Sequence, residues 1–471
     1  MRSLVWFRRD LRIADNSALH HACRNAVDGV VAAYVITPAQ WIEHDDANCK
    51  VKFWLDNLKS LSQSLSKLNI PLLIAKCGTF VESVDSILKL VSKHKIKAVY
   101  LNREYEVNEL HRDKLLKTKC DSLGIEAHAF HDRVIVPPRE ITTKEGKFYS
   151  VFTPYRRVWD TRALEFVKPL AKPRKQPAIE IESNAVPEKI TGFDFSDFRD
   201  DLWPAGEKEA LRRLKKFSQY IDRYKDNRDM PSIRGTSLLS PYLAAGVISS
   251  RQCLAAAVDA NHGKIAGADG PTTWISELAW RDFYTHVMVA CPQVSKHKPF
   301  KAKTEAIAWR DEENDFEAWK NGRTGYPIVD AGMRQLNQTG WMHNRVRMVT
   351  AMFLSKHLLI DWRKGEQYFM SKLIDGDLAA NNGGWQWSAS TGTDSVPYFR
   401  IFNPFSQSKR FDAEGIYIKK FCPELKPIPA VALHDAKKLV QALANHDTQY
   451  PGFVVDHKMA RERVLAEFKS I

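Results

Sequence analysis

Up to about residue 135 the chain alternates between two patterns, and beyond residue 198 one of them disappears. Residues 3–7, 29–36, 71–75, 97–101 and 126–130 are short runs rich in Val, Ile, Leu and aromatic side chains. Between them, 47–68, 79–94 and 106–123 place apolar residues at helical spacing. Alternation of this kind implies βαβ units and a parallel, doubly wound sheet. The loop after the first run reads RRDLRIADN. It lacks a glycine fingerprint, which argues against a standard dinucleotide site on this sheet. Pro137–Pro138 closes the region, and Pro169, Pro173, Pro177 and Pro187 among Lys, Arg and Glu read as a connector over the surface. From Phe198 onward strand signals nearly vanish, while 207–224, 272–290, 327–339 and 342–359 look helical. The expected organisation is an α/β domain over 1–135, a connector over 136–200 and an all-α domain over 201–471.

A chain of 471 residues is too long for one ordinary core, in keeping with that division. Its formal charge of +14 favours a polyanionic partner modestly. Seven scattered cysteines without CxxC spacing argue against a disulfide framework or a zinc site, and suit a reducing cytosol. The start MRSLVWFRRDLR puts charges where a signal peptide needs its apolar core, and no run of about 18 apolar residues follows. The expectation is a cytoplasmic monomer with no membrane segment and no metal.

Four constellations carry chemistry. The stretch YFMSKLIDGDLAANNGGWQWSASTGTDSVPYFRIFNPF sets Asp375, Gly376, Asp377, Asn381 and Asn382 beside Trp385 and Trp387. Acids and amides need partners and tryptophans need ring-sized pockets, so a mere turn rarely gathers all of them. Tyr224 and Arg228 precede GTSLLSPYLAAGVIS, where Thr236, Ser237 and Ser240 collect hydroxyls at an expected helix start near Pro241. Such a start binds phosphate or is simply capped; both readings stand. In WISELAWRDFYTH, Glu277, Trp280, Arg281 and Tyr284 recur at i, i+3, i+4 and i+7. That face suits a half-buried pocket wall, the alternative being an ion pair between Glu277 and Arg281. In GWMHNRVRM, Asn344 and Met348 share one helical face while Arg345 and Arg347 point elsewhere. An Asn there suits reading the edge of a base or flavin, although an ordinary amphipathic helix explains the spacing equally well.

Together TGYPIVDAGMRQL, GWMHNR, LIDGDLAANNGGWQW and PYFRIFNP resemble the flavin domain of the photolyase/cryptochrome family, in particular its class I cyclobutane pyrimidine dimer photolyases; WFRRDLR resembles the antenna domain. The resemblance implies FAD in the helical domain, a light-harvesting pigment on the sheet domain, and repair of pyrimidine dimers in DNA. By the same resemblance, Tyr224 and Thr236, Ser237, Leu238, Leu239 and Ser240 hold the FAD phosphates. Trp274, Arg281 and Arg347 line the cofactor, Asp375 and Asp377 with Gly376 between them meet its ribose or ring edge, and Asn381 faces the reactive flavin nitrogen. Trp280 and Trp387 wall the flipped-out dimer, which Glu277, Asn344 and Met348 touch and Tyr284 accompanies. Arg228, Arg345 and Arg400 grip the DNA backbone, and Trp385, Trp362 and Trp309 relay electrons. Base flipping costs a few kcal/mol. Stacking worth about 1–3 kcal/mol per base offsets it.

Three residues choose within the family. The (6-4) photolyases and animal cryptochromes have histidines where this chain has Asn344 and Met348, and plant cryptochromes have Asp at the position of Asn381. Enzyme is therefore preferred over light sensor, with a cryptochrome-DASH as the nearer rival. Asn108 and Glu109 in REYEVNELHRD, with Lys296, match positions that bind a 5,10-methenyltetrahydrofolate antenna, although Ser295 departs from the Cys of similar enzymes. A deazaflavin, no antenna, or an exposed helix start at Asn108 and Glu109 are the alternatives.

Overall fold

The computed structural model describes residues 2–471. Five strands, β1 (Ser3–Phe7), β2 (Val30–Ile36), β3 (Leu72–Lys76), β4 (Ala98–Asn102) and β5 (Glu126–Phe130), form one sheet in the order β3-β2-β1-β4-β5. Every pairing is parallel, with Val5 opposite Ala32 on one side and Tyr100 on the other. β1, β2 and β4 are buried along their whole length, whereas the edge strands β3 and β5 are partly exposed. A parallel strand covered on both faces must be apolar at successive positions, which is why these strands show as runs and not as alternation. The helices Asn48–Ser66, Phe80–Lys93 and Val107–Ser122 fall where the spacing predicts them. Thr79 sets one start, its side chain accepting from the Glu82 amide.

The chain forms two compact units, drawn differently from the sequence division. One holds residues up to Asp222, Ser237–Pro292 and Ile374–Ala379. Here the sheet shares its unit with the Glu207–Ser218, Ser250–Ala260 and Asp269–Ala290 helices. A tight approach within it fixes one glycine: Gly246 has φ +66°, and a Cβ there would lie 2.1 Å from the Arg9 carbonyl. Residues 167–202 run without regular structure, and part of them shields the edge strand β3. Ser183 Oγ accepts from the Leu72 amide at 3.0 Å and Asn184 Oδ1 from the Ile74 amide at 2.8 Å.

The other unit holds Arg223–Thr236, Gln293–Leu373 and Ala380–Ile471. It is helical, built around Trp319, Met333, Leu336, Val346, Leu354, Trp362, Phe369 and Trp385. The helix expected over 342–359 is shorter, running Asn344–Met352, followed by a π-helical turn over Phe353–His357. His343 is its N-cap, the ring Nδ1 accepting from the Arg345 amide at 3.2 Å. Desolvation keeps that ring neutral, with its pKa pushed down to about 4, so it can accept. The helix expected over 207–224 also stops early, at Ser218.

Candidate functional site

The first unit gathers one half of the sequence-derived residues. The Asp269–Ala290 helix is mostly buried, yet Thr273, Ser276, Glu277, Trp280, Arg281 and Tyr284 are only half-buried. Their spacing of three and four makes a single stripe along the helix. Trp280 stacks on Phe152 with ring centres 3.6 Å apart and planes 9° apart. Trp274, on the buried side, packs against Phe217 at 4.7 Å. Arg281 donates to the Arg133 carbonyl and, at 3.1 Å, to Ser250 Oγ, so the bonds fixing this guanidinium lie off its own helix.

Asp375 is 8% exposed, and Asp377 forms an ion pair with Arg133. Ser237 Oγ accepts from the Leu239 amide at 3.4 Å, and Leu238 has φ +52°. Of the two readings of this helix start, the hydroxyl cap is not formed. The helix is only Ser240–Ala244, Leu239 occupies its N-cap without a side-chain bond, and Pro241 lies in the first turn as the sequence suggests.

The sheet's switch point, between the ends of β1 and β4, is filled by the protein's own charges. Arg9 pairs with Glu104 at 2.5 Å, Glu106 at 2.8 Å and Glu109 at 3.4 Å, while Arg112 reaches Glu104 at 2.8 Å. Asp10 accepts from the Asn102 side chain at 2.7 Å. Paired side chains thus occupy the crevice where a glycine-rich loop would admit a dinucleotide. Beside them Asn108 is exposed, 2.9 Å from His44 Nε2, but Glu109 is buried. The exposed-helix-start alternative therefore fails for Glu109. Burial, then the neighbouring Glu106, push its carboxyl up to about 8, and Oε2 has no hydrogen-bond partner.

In the second unit, Asn344 is the first, exposed residue of its helix, with half-buried Met348 one turn on. Arg345 is engaged with Asp229 at 2.7 Å and stacks over Phe411 at 4.4 Å. Arg347 donates through Nε to the Met342 carbonyl at 2.8 Å. Arg228 sits 3.8 Å from the same Asp229 and over the buried Tyr224 ring at 5.7 Å. Arg400 is exposed, as is Lys296.

The paired asparagines divide their work. Asn381 Nδ2 donates to the Glu366 carbonyl at 3.0 Å, while buried Asn382 donates to the Glu366 carboxylate at 3.1 Å and accepts from Gln386 at 2.8 Å. Trp387 is half-buried. Trp362 and Trp385 are 1% and 2% exposed in one cluster, and half-buried Trp309 packs against it. Gly365 permits this packing, since a Cβ there would lie 2.2 Å from Trp385 Cη2. Sequence reasoning missed Arg133, Asp229, His343 and Glu366. Of these only His343 lay inside a motif that had been singled out.

Among the described residues no helix is long and apolar enough to cross a membrane, and no group of three or more His, Cys, Asp or Glu is placed to hold a metal ion. Among the described residues the cysteines form no disulfide.

Comparison with known proteins adds independent findings. Residues 3–177 match the DNA photolyase family and residues 274–470 the FAD binding domain of DNA photolyase. The chain is 43% identical over 468 residues to the deoxyribodipyrimidine photo-lyase of Salmonella typhimurium, covering 99% of this chain and 98% of that one. It is 43% identical over 469 residues to the Escherichia coli enzyme of the same name, with the same coverage. Among solved structures it is similar to a class III photolyase from Agrobacterium tumefaciens, with TM-score 0.89, 36% identity, and 100% and 97% of the two chains covered.

Proposed function

Because the chain belongs to the DNA photolyase family, we propose that it is a lyase of the class I type, splitting cyclobutane pyrimidine dimers in DNA with blue or near-UV light. The observation that carries this reading is the half-buried stripe that holds Glu277, Trp280, Arg281 and Tyr284 on a mostly buried helix. It offers an aromatic face for a base beside acid and guanidinium groups for its edges.

The residues fit FAD. Asp375 and Asp377 supply carboxylate acceptors and Arg281 supplies a guanidinium. Tyr224, Thr236, Ser237, Leu238, Leu239, Ser240, Trp274, Arg347 and Gly376 complete the set. With Nδ2 tied to Glu366, Asn381 keeps its amide oxygen as the end that accepts from a flavin N–H. Bound and reduced, FAD would supply light-driven electron transfer to the cyclobutane ring, with no net redox change. Trp280 and Trp387 then hold the extruded bases, while Glu277 and Asn344 hydrogen-bond their edges.

Neither Asn344 nor Met348 can shuttle the proton that (6-4) repair asks of histidine. Chemically reduced protein, lit with blue light on two duplexes, should repair the cyclobutane lesion. Repair of the (6-4) lesion alone would overturn the choice.

On this reading residues 1–135 carry the antenna, 136–200 connect, and 201–471 serve flavin and DNA, in a cytoplasmic monomer. A methenyltetrahydrofolate at Asn108, Glu109 and Lys296 is supported by the partnerless Glu109 Oε2. A carboxyl with a pKa near 8 can donate to a pterin at neutral pH.

Salt should reveal which arginines meet phosphate. Each neutralised phosphate contributes a log–log slope of about −0.9 on duplex DNA. Arg400→Ala should flatten the slope by about that amount. Arg345→Ala should flatten it less, because Asp229 already shares its charge. Affinity measured from low to moderate salt checks the order, and a larger effect at Arg345 would contradict it.

A further inference from the structure

Two residues assigned to FAD, Asp377 and Arg281, hang on one residue that no motif singled out. Arg133 Nη2 forms an ion pair with Asp377, and Nη1 pairs with Glu106 at 3.1 Å. Its backbone carbonyl accepts from Arg281 and, at 3.2 Å, from Ser250 Oγ. Arg281 closes the triangle by donating to Ser250 Oγ at 3.1 Å.

The backbone on either side is pinned. Asp132 is buried between Arg12 and, at 2.8 Å, Arg251. The amides of Ile135 and Val136 donate to Asp282 at 3.0 and 3.1 Å, and Asp282 is the next residue after Arg281 on its helix. Arg133 is thereby a rigid fork. A planar guanidinium with two paired carboxylates holds each in a fixed direction, which a lysine ammonium does less well.

We propose that Arg133 is a positioning residue for the flavin, acting through Asp377 and Arg281 and not by touching the cofactor. Its side chain keeps the Asp377 carboxylate aimed, and its carbonyl sets the Arg281 guanidinium at a fixed offset from it. This rests on the FAD reading above. A purely structural role, neutralising Glu106 inside the fold, is the competing account.

Four proteins separate the two: wild type, Arg133→Met, Arg133→Lys, and Arg133→Met combined with Glu106→Gln. Each is stripped of flavin and titrated with FAD, following affinity and the visible circular dichroism of the bound flavin. Arg133→Met should bind FAD about ten-fold more weakly or worse, the loss expected for one charge-assisted hydrogen bond, with an altered dichroism band. Arg133→Lys should recover part of the loss. The double variant should stay weak, because removing the charge of Glu106 does not re-aim Asp377. Unchanged affinity in Arg133→Met, or recovery in the double variant, overturns the proposal. Should Arg133→Met fail to fold, the double variant and Arg133→Lys still decide. Failure of wild type to bind FAD would sink the flavin reading as well, and so is told apart from failure of the proposal alone.

Discussion

Replacing Asp375 and Asp377 together with alanine should strip the protein of FAD. Both carboxylates lie in the short Ile374–Ala379 segment, Asp375 almost fully buried and Asp377 fixed by Arg133. A hydrogen bond to a charged group contributes about 1.5–3 kcal/mol. Losing two should therefore weaken FAD by about two to four orders of magnitude. The substitution also leaves Arg133 with Glu106 as its remaining partner, so some stability is lost as well. A far-UV spectrum and a melting curve of the flavin-free protein separate the effects, and Asp377→Asn, which keeps the shape, serves as the milder control. Full flavin retention in the folded double variant would show that the cofactor has been misplaced.

Trp309→Phe should abolish photoreduction of bound oxidised FAD while repair by chemically reduced protein continues. Trp385 and Trp362 are buried in one apolar cluster, and Trp309 packs on it while half-exposed. That gradient suits a relay that begins in the core and ends where an external donor can reach. Phenylalanine keeps an aromatic ring against the cluster, and Trp309 is only half-buried, so little of the core is lost and the fold should survive. Flash illumination with added reductant reads the relay, and a repair assay on pre-reduced protein reads the chemistry. Equal loss of both would make Trp309 an ordinary core aromatic.

What the sequence made legible follows from burial. The strands were readable because both faces of β1, β2 and β4 are covered, which forces unbroken apolar runs. The stripe on the Asp269–Ala290 helix was readable because a helix displays every third or fourth residue on one face. The ionic interior was not. Arg9, Glu104, Glu106 and Arg133 look like surface charges in a linear chain, since pairing across 27 or more positions leaves no periodic trace. The same blindness hid Glu366, which fixes Asn381 and Asn382 from 15 and 16 residues away. The end of the Asn344–Met352 helix was misjudged because Phe353, Leu354, Leu358 and Leu359 extend the apolar spacing across Phe353–His357, where only the hydrogen-bond pattern widens.

The central claim is that light drives repair with no net oxidation or reduction. Its most direct measurement uses chemically reduced protein, held without oxygen, with a several-fold excess of a duplex carrying one cyclobutane dimer. Restored pyrimidines are counted in blue light and in the dark, alongside the flavin absorbance. Restoration only in light, with many dimers opened per protein and the flavin still reduced at the end, is the result predicted. Restoration in the dark, or one flavin oxidised for each dimer opened, would contradict it.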